Sequence, residues 1–270
     1  MRNILLTISY DGTNFCGWQR QDHTEIKNRV RTVQEELEIA LSRLHRQNIA
    51  LYGSGRTDSG VHALAQAANF FSPIDSIPAK NYVRALNSLL PHDIRITNSV
   101  EVPENFSART SATSRIYRYF ISPRGNIDAF QCRYSWCVPY IPNIENLNSM
   151  CACLKGEIDC TSFCASGDES LSMHRYIEQA HFFEHSSYPA SNPLIVFEIE
   201  ANAFLWNMVR TITGTLIGLD RKSAPTDSMQ KILAAKDRRK AGETAPAQGL
   251  FLYKVRFDGI RRHIRQLRGG

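Results

Sequence analysis

Two hydrophobic periods alternate along the first hundred residues. Residues 4–10, ILLTISY, are apolar and β-rich enough for a strand, and Val30, Val33, Leu37, Ala40, Leu41 and Leu44 then recur at the three- and four-residue spacing of one helical face. Strands are predicted at 49–53 and 66–71, on either side of the glycine-rich stretch GSGRTDSGVH. Tyr82, Leu86, Leu89 and Leu90 mark a second amphipathic helix that Pro91 ends, and a strand follows at about 94–102. The order βαββαβ predicts a ferredoxin-like antiparallel sheet with helices on one face and the other face free for a ligand.

The pattern restarts near residue 106. A strand at 115–121 places Arg115, Tyr117, Tyr119 and Ile121 on one face, and Leu147, Met150, Cys151 and Leu154 outline a helix. Strands are expected at 174–185 and 194–201, a long helix at about 203–219, and a closing strand in LFLYKVRF. The stretch CASGDESLSMH has loop composition. The fold class predicted is α+β, built from two tandem ferredoxin-like-derived α/β domains. They span residues 1–105 and 106–257, with a basic, flexible tail at 258–270.

Composition narrows the function. With 270 residues, 43% of them hydrophobic, the chain has material for a sizeable core. No run of about 18 apolar residues occurs, and the apolar start is too short for a signal sequence, so no membrane association and a cytoplasmic location are expected. Seven cysteines, an odd number without paired C-x-x-C spacing, read as reduced and mostly buried thiols, and no metal is expected. A net charge of +6 permits a polyanionic partner, and arginines interleaved with aromatics in SRIYRYF and LWNMVRT suit RNA, although strand and core aromatics would look the same.

Several motifs can be set aside. GTNFCGWQ has the glycine spacing of a phosphate-binding P-loop, but Trp18 and Gln19 stand where Lys and Ser or Thr are required. Gly53, Gly55 and Gly60 miss the dinucleotide pattern, and no G-x-S-x-G or H-E-x-x-H occurs. Asp58 in the glycine-rich stretch therefore stands as an acid whose bland role is a turn. In AFLWNMVRTITGTLIGL the only charge is Arg210, on a helix that looks apolar on both sides. A buried arginine needs a carboxylate. Glu198 or Glu200 would make a structural pair, and Asp58 would make a functional one.

Together these stretches resemble a known family. YDGTNFCGWQRQ, TVQEELEIAL, GSGRTDSGVHA, FSARTSATSRIYRYFI, ANAFLWNMVRTITG and QGLFLYKV, in this order over about residues 4–256, are similar to the TruA family of tRNA pseudouridine synthases. The resemblance implies a cofactor-independent isomerase that turns uridine into pseudouridine on the 3′ side of the tRNA anticodon stem and loop. It implies a homodimer and a basic active-site cleft flanked by the two antiparallel sheets. Asp58 takes the family's catalytic nucleophile position, Arg210 its ion partner, and Tyr117 the tyrosine that stacks on the target uracil and assists at C5. Arg56 matches the arginine that fills the space of the extruded base, and Leu250 the aliphatic residue beneath it. Arg20, Arg109 and Arg115 are candidate phosphate contacts.

Ser59 replaces the family's more frequent Ala, and Trp206 and Asn207 stand where bacterial members often carry His. His62 reads as an anchor of the loop by hydrogen bonds rather than a general base. The competing expectation is a noncatalytic tRNA-binding or RNA-folding protein on the same scaffold. An aspartate-dependent phosphotransferase lacks the phosphate loop and metal ligands it would need.

Overall fold

The computed structural model describes residues 1–21, 30–123, 128–186 and 193–262. Its contacts divide the chain into two compact units. The first is Met1–Thr113 with Phe251–Gly259, and the second is Ser114–Leu250 with residues from Ile260 on. The expected boundary at 105 thus falls at 113. Residues 251–257, expected with the second domain, cluster instead with the first, and residues 263–270 of the expected tail lie outside the described residues.

The first unit contains β1 (Arg2–Tyr10), α1 (Val33–His45), β2 (Tyr52–Gly53), β3 (His62–Ser72), α2 (Tyr82–Asn87) and β4 (Ile94–Val102). β1 lies between β3 and β4, antiparallel to both. β2 covers one end of β3's other edge, with Tyr52 opposite Asn69. The strand β10 (Leu250–Arg256) covers the opposite end in parallel, with Phe251 opposite His62. That pairing is why 251–257 belongs here: a strand buries its backbone groups wherever an open edge accepts them.

Alternation along β1 puts Ile4, Leu6, Ile8 and Tyr10 into the core. Val33, Leu37 and Leu41 from α1 and Tyr82 and Leu86 from α2 are completely buried as well. α1 closes at Arg46 in the left-handed conformation, and its last turn carries the buried His45, bonded to Leu41 O, Ser72 Oγ and Tyr82 OH. Arg31 brackets the helix entry with a bidentate pair to Asp93 at 2.6 and 2.9 Å, while its guanidinium lies 4.1 Å from the centre of the Phe15 ring.

The second unit contains β5 (Ser114–Ser122), α3 (Ala129–Tyr134), β6 (Trp136–Cys137), α4 (Ile144–Cys151), β7 (Gly156–Asp159), β8 (His174–His185), β9 (Leu194–Ala201), α5 (Met208–Arg221) and α6 (Ser228–Ala235). β9 sits between β5 and β8, β7 lies outside β8, and all three pairings are antiparallel; β6 adds to β5 in parallel. Tyr117, Tyr119 and Ile121 share a face with Ile199, Phe197 and Ile195 on β9. Asp220 near the end of α5 ties it to α4's start, accepting from Asn143 N and Asn146 Nδ2.

The long helix begins at Met208 rather than 203, because Asn207 takes a left-handed φ of 59° that a helix cannot contain. The described residues contain no helix long and apolar enough to cross a membrane.

Candidate active site

The connection from β2 to β3 carries Asp58, and hydrogen bonds hold it at both ends. Ser54 donates its N–H to Ala67 O at 2.8 Å and its hydroxyl to Gln66 Oε1 at 2.7 Å. The buried Gln66 returns a bond from Nε2 to Gly55 O at 3.1 Å. At the far end His62 is fully buried, accepts the Gly12 N–H at Nδ1 (3.0 Å), and stacks its ring on Phe251 at 4.5 Å. With that lone pair engaged and the ring packed, His62 is an anchor.

The residues around Asp58 are pinned by the segment 10–18. Thr57 is buried, its carbonyl accepts the Trp18 N–H at 3.0 Å, and its hydroxyl lies 2.8 Å from that of Tyr10. Gly60, at φ 77°, donates to Phe15 O at 3.2 Å, and the Ser59 hydroxyl reaches the same carbonyl at 3.3 Å. The backbone carbonyl of Asp58 closes the turn by accepting the Val61 N–H at 3.2 Å, and Asp58 itself is half-buried.

The paired glycines of GTNFCGWQ now have a physical explanation. A Cβ on Gly12 would lie 2.0 Å from Val61 O, and one on Gly17, itself at φ +92°, would lie 2.6 Å from Thr57 O. Each glycine allows a backbone-to-backbone approach, one at each end of 57–61. Gly53 makes room for the Trp18 side chain, whose ring nitrogen would sit 2.7 Å from an added Cβ. The spacing that resembles a phosphate loop is the packing surface for the acidic loop. No sequence rule for phosphate binding finds this, but the failed motif match leaves two unexplained glycines as a signal.

The arginines expected in the first unit differ in setting. Arg56 is exposed two residues before Asp58 on the same loop. Arg20, beyond Trp18, is half-exposed and paired with Glu38 at 2.8 Å. Arg109 is exposed on the 103–113 segment, which Asn69 Oδ1 holds by the Ala108 N–H at 2.9 Å.

The second unit holds the other candidates. Tyr117 on β5 is buried with Phe204 edge-on at 5.0 Å, and Arg115, two residues before it, donates to Asn202 O at 2.8 Å. Tyr119 is completely buried and its hydroxyl donates to Pro246 O at 2.7 Å. Burial pushes its phenol pKa upward, against the opposing charge of Arg210. Leu250 is buried at the first position of β10. The residue before it must be small, since a Cβ on Gly249 would lie 2.7 Å from the Tyr119 ring.

Arg210 lies in the first turn of α5, donating from Nε to Ala245 O and from Nη1 to Asn207 Oδ1, both at 2.8 Å. Glu198, one carboxylate weighed as its structural partner, is bonded to Arg118 at 2.6 Å. Glu200, the other, accepts from the Ser114 hydroxyl at 2.5 Å and from Gln179 at 3.5 Å. The structure thus gathers Asp58 and Arg56 on one pinned loop and Tyr117 with Arg115 on one strand face. It reveals Thr57, Tyr10, Gln66 and Asn207 as supports that the sequence reading did not single out for those roles.

An α+β protein with a rigid Asp-bearing loop, and with an arginine fixed at a helix start, is the class that these features define. A family model described as tRNA pseudouridine synthase matches residues 6–110 and 150–258. The chain belongs to the tRNA pseudouridine synthase family. It is 52% identical over 256 residues to the tRNA pseudouridine synthase A of Treponema denticola, covering 95% of this chain and 93% of the relative. Identity to the protein of the same name from Treponema pallidum is 49% over 243 residues (90% and 84% covered), and to that of Brachyspira hyodysenteriae 41% over 260 residues (95% and 99%).

Proposed function

We propose that this chain isomerises uridine to pseudouridine in tRNA, with Asp58 as its nucleophile and the 3′ side of the anticodon stem and loop as its target. The observation that carries the reading is the pinning of residues 57–60, the loop that bears Asp58, by Tyr10, Phe15 and Trp18. A carboxylate that must meet one atom of a substrate gains from such rigidity, because a misplacement of about 1 Å can cost on the order of a hundredfold in rate.

The reaction balances without any co-reactant. The N1–C1′ bond breaks, the base rotates, and C5 bonds to C1′; the C5 proton leaves and N1 takes up a proton. An ionised Asp58 can assist covalently at the base or sugar, dividing one hard step into easier ones. Arg210 serves as its charge partner, keeping it ionised when water is excluded. Tyr117 stacks on the uracil and assists at C5, Arg56 fills the vacated position in the RNA, and Leu250 supports the base. Extruding that base costs a few kcal/mol, which the arginines at 20, 109 and 115 help to offset through phosphate contacts.

We further read both units as derived from a ferredoxin-like pattern, which the strand order β4-β1-β3-β2 of the first supports. The working form is a cytoplasmic homodimer. Light scattering that returned a strict monomer would contradict the dimer.

The test of the catalytic reading is Asp58→Asn, compared with wild type for tRNA binding and for turnover. Retained binding with lost turnover supports it. The alternative, a noncatalytic tRNA-binding or RNA-folding protein, predicts that the substitution is silent in both, and salt-sensitive binding alone does not distinguish the two.

A further inference from the structure

We infer that Asn207 is a positioning residue for the reaction: it sets the plane of the Arg210 guanidinium. The inference rests on the reading of Arg210 as part of the active site.

Four non-glycine residues among those described have positive φ. Arg46, Ser223 and Lys236 follow helices, where a left-handed residue is an ordinary way to stop. Asn207 precedes one, at φ 59° and ψ 5°, where a capping residue normally takes an extended conformation. Asparagine at a helix start ordinarily spends its side-chain oxygen on an N–H of the first turn. Asn207 makes no such bond. Its Oδ1 accepts from Arg210 Nη1 at 2.8 Å instead.

The neighbouring chain holds this turn in place. The Trp206 carbonyl accepts the Ala165 N–H at 3.0 Å, and the Trp206 N–H goes to Asp168 Oδ2 at 2.6 Å. Asp168 is a firm acceptor: partial burial works against its charge, but bonds from Ser170 and the Trp206 N–H outweigh this and hold the carboxyl below its ordinary range. The second clamp on the guanidinium is built as tightly. Ala245 accepts from Arg210 Nε and donates its N–H to the Arg210 carbonyl at 3.1 Å. Its segment reaches α5 because Gly214 and Gly242 carry no Cβ, which would fall 2.0 Å from Glu243 O and 2.9 Å from the Thr215 Cα.

Two acceptors on two different nitrogens of a planar group fix its orientation as one acceptor cannot. The ordering is completed before substrate arrives, which is how a supporting residue contributes to rate without touching the reacting atoms.

The test compares Asn207→Gly, Asn207→Asp and Arg210→Ala in single-turnover isomerisation of a tRNA transcript, with tRNA Kd and Tm measured for each. Glycine keeps the left-handed backbone and deletes the amide. Aspartate keeps an acceptor in a residue that tolerates this conformation. The expected result is a rate lowered about tenfold or more in Asn207→Gly, with Tm and Kd near wild type, and a return to within about threefold in Asn207→Asp. If Arg210→Ala is impaired and Asn207→Gly is not, the inference is overturned while the site reading stands. A rate loss matched by a fall in Tm, or one that aspartate does not restore, overturns it as well. If Arg210→Ala itself turns over like wild type, the reading of Arg210 fails and the inference fails with it.

Discussion

Gly17→Ala should uncouple catalysis from RNA binding. The added methyl would stand 2.6 Å from Thr57 O, 3.2 Å from the Asp58 carbonyl carbon and 3.3 Å from the Ser59 nitrogen, all backbone atoms. Reaching an ordinary 3.4 Å contact with Thr57 O requires a displacement of 0.8 Å, and the atom that must give way belongs to the same planar peptide unit as the Asp58 nitrogen. A side chain at φ +92° adds a backbone cost of about 1–2 kcal/mol, and forced packing typically adds about 1–3 kcal/mol. The total, about 2–5 kcal/mol, lowers Tm without unfolding a domain of ordinary stability.

The shift of Asp58 has the larger functional effect: a displacement near 1 Å predicts a rate reduced on the order of a hundredfold in single-turnover assays at saturating enzyme. tRNA affinity by filter binding should stay within about threefold, because the exposed arginines are untouched. Gly55→Ala, in the same loop with nothing within 4 Å of its added methyl, is the matched control and should be near wild type on every measure. Wild-type rate and Tm for Gly17→Ala would refute the account of why the loop is rigid.

Other predictions follow from single contacts. Tyr119→Phe removes the bond to Pro246 O and should cost about 1 kcal/mol in urea unfolding with turnover within about twofold, whereas Tyr117→Phe should lower turnover. Alkylation of the folded protein at pH 8 should label the exposed Cys16 and Cys132 first, by peptide mass, and leave Cys160 unmodified, its thiol pushed up to about 12 by burial. Because an unfolded thiol ionises from about pH 8.5, the unfolded state binds fewer protons than the folded one above that value. The contribution of Cys160 is therefore complete at neutral pH and is lost as pH rises from about 8.5 toward 12, and Cys160→Ala should flatten that part of the stability curve. Arg31→Lys loses the bidentate pair with Asp93 and should lower stability by about 1 kcal/mol in thermal melts, the pair being partly exposed.

The elements that one face of hydrophobic residues defines were legible in the sequence. The first helix matches the observed bounds within a few residues because it sets one apolar stripe against polar neighbours, and the strands at 94–102, 174–185 and 194–201 match as well, the last buried along its whole length behind the apolar run LIVF. Short elements, β6, β7, α3 and α6, were not anticipated, since two to eight residues give too little periodicity to stand out. The start of α5 was misread for a different reason: Ala203, Phe204, Leu205 and Trp206 continue the apolar pattern, but the backbone turns at Asn207 to meet Arg210, and such a turn has no periodicity. Asp58 stood out by the company of its residues. What rigidifies it was hidden, since Tyr10, Phe15 and Trp18 lie some forty residues away in sequence and act largely through their backbones.

The central claim is most directly tested by hydrogen release. Isomerisation must expel the proton on C5 of each converted uridine, so tRNA transcribed with C5-tritiated uridine reports every turnover as tritium in water. Wild type, without added nucleotide or metal, should release tritium in proportion to the pseudouridine mapped in the anticodon arm, and Asp58→Asn should bind the same transcript and release none. Equal release by both proteins, or binding by both with release by neither, would contradict the assignment of Asp58 as the residue that carries the reaction.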